Sequence, residues 1–102
     1  MHTIERRQAT RYTLRLPIET TRINGEPTAV KSVTENISSR AILFTSPAPI
    51  PVGTTVEFTV AMVDLGTGVA LRCAGKVVRM ELRELGASAV VATIERHEYL
   101  RS

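Results

Sequence analysis

Along much of the chain apolar and polar residues alternate with a period of two, the pattern of a strand that buries one face. Tyr12, Leu14, Leu16 and Ile18 alternate with Thr13, Arg15 and Pro17. Residues 28–35 are rich in β-branched side chains and predict a second strand. Residues 41–45 predict a short third one. Over 55–63 the alternation returns, with Val56, Phe58, Val60 and Met62 on one face. Residues 69–80 predict a longer strand in which Leu71, Cys73 and Val77 share a face, and Gly75 inside it marks a bulge or a barrel corner. A last strand of small residues is predicted over 85–94.

The segments between these runs are turn-formers. Asn24-Gly25 suits a tight hairpin. Residues 36–40 are polar and predict a second turn. Pro47, Pro49 and Pro51 make 46–53 a stiff extended connection. Gly66 and Gly68 mark another turn. No segment has the length and periodicity of a stable helix; 80–84 has the propensity but is too short to stand alone. About six short strands are best satisfied by closure, which removes unpaired edges. The fold expected is therefore all-β, a small six-stranded antiparallel β-barrel over 12–94. A flexible basic N-terminal arm over 1–11 precedes it, and a short turn or frayed tail over 95–102 follows.

Composition narrows the function. At 102 residues the chain has room for one domain. Cys73 is the one cysteine, which excludes an internal disulfide and a cysteine-based zinc cluster. Its inward strand position predicts a small core residue. His2 and His97 lie at opposite ends, so no serine has an evident activating partner, and no phosphate-cradling glycine loop is present. These features point away from an enzyme and from a bound cofactor or metal. No basic-then-apolar leader opens the chain, and the longest uncharged stretch is broken by prolines, so a cytoplasmic protein without membrane insertion is expected. The net charge is only +3, yet Arg6, Arg7, Arg11 and Arg15 fall within the first fifteen residues against Glu5 alone. Such an arm favours an anionic partner. Extended single-stranded nucleic acid fits poorly as that partner, because stacking platforms are scarce. The four aromatic residues are Tyr12, Phe44, Phe58 and Tyr99, and Tyr12 and Phe58 fall on predicted core faces.

Two local patterns remain. Arg7 and Arg11 stand four apart just before the first strand, behind Glu5-Arg6. Asn36-Ile37-Ser38-Ser39-Arg40-Ala41 forms a polar turn that leads into Ile42-Leu43-Phe44. In this order and at this spacing, inside an all-strand chain, they resemble the signature of the PilZ domain family, an RxxxR arm followed by a [D/N]xSxxG turn. The resemblance runs from Glu5 to about Ile94.

The resemblance implies a receptor for cyclic di-GMP that relays messenger level to an effector protein. Arg7 and Arg11 would hold guanine and phosphate groups, with Arg6 auxiliary. A guanidinium fork meets the paired O6 and N7 acceptors of guanine, and its plane also stacks on a base. Asn36 and Ser38 would offer short polar groups from the barrel surface, and Arg40 a further cation. The same residue types also brace turns by bonding local backbone. The sequence departs from the pattern at Ala41, where the motif has glycine. If that position needs a positive φ, or if ligand packs against it, alanine interferes. A barrel of this kind that has lost the ligand and serves only as a protein adaptor is therefore a second reading, and a basic nucleic-acid-binding barrel a third. The sequence leaves open whether the chain acts alone or as a homodimer.

Overall fold

The computed structural model describes residues 12–62 and 68–101. Seven strands follow one another: β1 (Pro17–Ile23), β2 (Glu26–Ile37), β3 (Ala41–Ser46), β4 (Thr55–Ala61), β5 (Val69–Leu82), β6 (Ser88–Thr93) and β7 (Arg96–Arg101). All the pairings are antiparallel, and β4 pairs with both β1 and β5. The ring β1-β2-β3-β6-β5-β4 is thereby closed into a six-stranded barrel, and β7 lies outside it. Among the described residues no helix is long and apolar enough to cross a membrane.

The alternation read from the sequence is what fills the ring. Ile18 and Thr20 of β1, Ile42 and Phe44 of β3, Val56, Phe58 and Val60 of β4, Cys73 and Val77 of β5, and Val90 and Ala92 of β6 are all buried. Phe44 and Phe58 meet at its centre, with ring centroids 6.0 Å apart. Each valine, isoleucine or phenylalanine among them contributes about 1.5–3 kcal/mol by leaving water. Burial holds the thiol of Cys73 in its neutral form and pushes its pKa up to about 11. The first hairpin turns on Asn24 and Gly25, both at positive φ, as the dipeptide predicts.

Two long strands serve both halves of the ring. β2 pairs with β1 through its first part and with β3 through its last. β5 pairs with β4 up to Lys76 and with β6 from Val77 onward. Gly75 sits at that exchange. A Cβ at this position would lie 1.8 Å from the carbonyl oxygen of Thr93, so only glycine lets β6 pass.

The structure corrects several expectations. Residues 96–101 form a strand rather than a turn or a frayed tail: β5 extends past β6, and its free length takes β7 as a partner from Val69 to Ala74. The first regular strand begins at Pro17 rather than Tyr12. Tyr12 does not enter the core; its backbone is tied at the rim and its side chain is 58% exposed. Residues 85–87 do not belong to the last strand. Glu84–Gly86 form a single 3-10 turn, Leu85 takes a positive φ of 62°, and β6 starts at Ser88. β5 runs on through 80–82, so no helix forms there. The predicted turn at Gly66 lies outside the described residues.

Candidate ligand-binding site

The polar turn closes on the side chain of Ser38. Its Oγ accepts from the backbone N–H of Arg40 at 3.2 Å and of Ala41 at 3.1 Å. The Ser38 N–H donates to the Ala41 carbonyl at 2.9 Å, and the hydroxyl lies 3.3 Å from that same oxygen. Ser38 is thus occupied in holding the turn. Ala41 begins β3 opposite Thr93 and has an ordinary strand backbone; among the described non-glycine residues only Asn24 and Leu85 have positive φ. The turn forms around alanine without backbone strain. Arg40 is exposed, and its carbonyl accepts from the N–H of Ile94 at 2.7 Å, fastening the turn to the end of β6.

Asn36 owes its orientation to a bulge. The β2–β3 register runs Thr34 opposite Phe44, then Asn36 opposite Leu43, then Ile37 opposite Ile42. Thr34, Phe44 and Ile42 face the core. Glu35 is the extra residue, and it shifts the alternation by one position. Without it Asn36 would follow Thr34 inward; with it Asn36 shares the outer face with Leu43. Re-aiming one side chain is a recurrent use of such bulges. The displaced Glu35 pairs with Arg83, Nη1 to Oε2 at 2.7 Å and Nη2 to Oε1 at 3.3 Å. Its carboxylate keeps the Arg83 guanidinium firmly charged, by hydrogen bond first and Coulomb attraction second.

The chain that enters the barrel runs along this same stretch of β2. Tyr12 and Ile37 exchange N–H···O bonds, both 2.9 Å. The Thr13 hydroxyl lies 3.3 Å from Asn36 Oδ1 as its donor, which leaves the amide nitrogen of Asn36 as a donor for other groups. Arg6, Arg7 and Arg11 lie outside the described residues. Arg11 is the neighbour of Tyr12 in sequence, so the arm joins the barrel one residue before the Ile37 bridge.

Of the site residues expected from sequence, Asn36, Ser38, Arg40 and Ala41 stand together on the rim at the β2–β3 turn. Thr13, Thr34, Glu35 and Arg83 were not anticipated. Glu35 and Arg83 are separated by 48 positions, and nothing local to either signals the contact. The groove over Ala74, between Glu57, Arg72, Arg96 and Glu98, shares no residue with this rim. Among the described residues no group of three or more His, Cys, Asp or Glu side chains is placed to hold a metal ion.

The fold and rim define a closed antiparallel barrel in which the N-terminal approach and the polar turn meet at one end. This chain belongs to the PilZ domain family, whose model matches residues 5–100. Among solved structures it is similar to the Bacillus subtilis inhibitor of motility (MotI/DgrA), with a TM-score of 0.75 and 16% sequence identity. The match covers 93% of this chain and 45% of that one, so the chain spans less than half the length of that protein, and the likeness is one of fold. No curated protein matches.

Proposed function

We propose that this chain is a cyclic di-GMP receptor module that passes the state of the ligand to a protein partner. The observation that carries the reading is the bulge at Glu35, which turns Asn36 outward beside the bridge where the arginine arm joins the barrel. A bulge that shifts the register and turns a half-buried amide to the outer face, beside the segment that enters the barrel, is better explained by a ligand than by packing. Family membership supports the same reading.

In this reading Arg7 and Arg11 grip guanine and phosphate, Arg6 assists, and Asn36 donates to a guanine acceptor or a phosphate oxygen. Ser38 acts by holding the turn, Arg40 adds positive charge, and the methyl of Ala41 is tolerated. Ordering of residues 1–11 on the rim would then present a new surface to the partner. The function is one of binding in the cytoplasm, with no reaction and no cofactor. The alternative is an adaptor without the ligand, motivated by Ala41 in place of the motif glycine.

Calorimetric titration with cyclic di-GMP, beside GMP and cyclic di-AMP, tests the reading. Saturable binding of cyclic di-GMP alone, lost in Arg11→Ala and weakened in Asn36→Ala, is the expected result. Absence of binding in the parent chain and in Ala41→Gly would leave the adaptor reading. Steep loss of binding with salt and no preference among nucleotides would instead indicate a phosphate-tracking nucleic-acid binder.

A further inference from the structure

β7 is the strand added outside the ring, at the end of the sheet order. Its six residues pair with β5 on one side, and no described residue pairs with the other. An open edge is a template for another strand unless proline, a bulge or like charge protects it. β7 has no proline, and its pairing with β5 carries no register shift.

Its charges are of both signs and unevenly satisfied. Glu98 lies opposite Arg72, 3.7 Å away. Arg96 lies opposite Ala74, and its side chain has no ion pair or hydrogen bond among the described residues. Arg96 and Glu98 project from the same face of β7, two residues apart. We propose that β7 is a dimerisation edge whose occupant is β7 of a second copy of this chain, paired antiparallel about a two-fold axis at His97.

That register places Arg96 of each protomer opposite Glu98 of the other, twice, with Glu95 opposite Tyr99 beyond. It supplies an ion-pair partner, which Arg96 lacks among the described residues of its own chain. Registers that keep both barrels on one face of a shared sheet move the axis by whole residues. An axis at Glu98 sets the two Glu98 side chains against each other, and one at Tyr99 leaves Arg96 without a carboxylate. Charge matching along the strand thus selects the His97 axis. The interface is a single strand pair with little apolar area, so the dimer is weak and forms at high concentration.

Sedimentation velocity on the whole chain at low salt, from about 10 μM to about 1 mM, tests this. The mass should rise toward twice that of one chain. Arg96→Glu and Glu98→Arg should each weaken association about tenfold or more, since each turns two attractive pairs into repulsive ones. Both residues are exposed, so the variants should fold, as circular dichroism would verify. An equimolar mixture of the two variants should associate again, because each supplies the charge the other lost. A monomer throughout the range, single variants that associate like the parent, or a mixture that stays monomeric would each overturn the proposal. None of these readings depends on cyclic di-GMP.

Discussion

The hydroxyl of Thr34 accepts the backbone N–H of Leu16 at 2.9 Å and donates its own proton to the carbonyl of Leu14. Thr34 is fully buried on β2, and its side chain adds two bonds to the backbone bond by which its own N–H donates to the Leu16 carbonyl at 2.9 Å. Replacing it with valine keeps the volume but leaves a buried N–H and a half-buried C=O without those partners. Thr34→Val should lower stability by about 1–3 kcal/mol, read from urea denaturation. It should also loosen the Tyr12–Ile37 bridge, seen as faster amide exchange at Tyr12.

Gly75 admits no substitution that adds a Cβ. At 1.8 Å from the Thr93 oxygen the new atom would meet backbone, which has no rotamer by which to move aside. Gly75→Ala should destabilise the chain by at least about 3 kcal/mol or prevent folding, measured by thermal melting. Gly25→Ala meets no steric obstacle and should cost less, through its positive φ alone.

Ala41 yields a prediction of sign. Had the position required a left-handed backbone, glycine would relieve strain; an ordinary strand conformation means that it cannot. Ala41→Gly should lower stability by about 0.5–1 kcal/mol, the cost of the freedom glycine brings to the unfolded chain. A stabilised variant in denaturant titration would contradict the turn geometry described above.

Cys73 gives a pH dependence in the alkaline range. Its thiol ionises near 9 in the unfolded chain and near 11 when buried. The folded form therefore retains a proton that the unfolded form releases, and stability falls as pH rises through this window. Below pH 9 the contribution is intact. Between 9 and 11 the parent should lose no more than about 3 kcal/mol relative to Cys73→Ala, which lacks the group. Parallel denaturation of the two proteins at both pH values gives the difference. At neutral pH the native thiol should react slowly with alkylating reagents.

The barrel was legible in the sequence because closure depends on inward alternation, and residues such as Val56, Phe58 and Val60 declare it locally. The NG hairpin and the proline-rich connection were legible for the same reason. β7 was not, since residues 96–100 bury too little to show a period; it exists because β5 outruns β6. Tyr12 misled because its alternation with Leu14 and Leu16 continues past the point where the ring has interior space. At the rim, Asn36 and Ser38 could be named from their motif, but their roles could not be separated. That distinction rests on the Glu35 bulge and on which backbone N–H groups Ser38 accepts. The Glu35–Arg83 pair joins distant segments and left no pattern to read.

Strands β6 and β7 run along one edge of β5, divided where Gly75 faces Thr93. The first of them completes the ring; the second adds nothing to closure. Substitutions in β7 should therefore disturb closure of the ring less than those in β6. The exposed charges of the outer strand can be exchanged without touching the interior of the barrel behind it. A single glycine marks the border between the strand that closes the barrel and the strand that only decorates it.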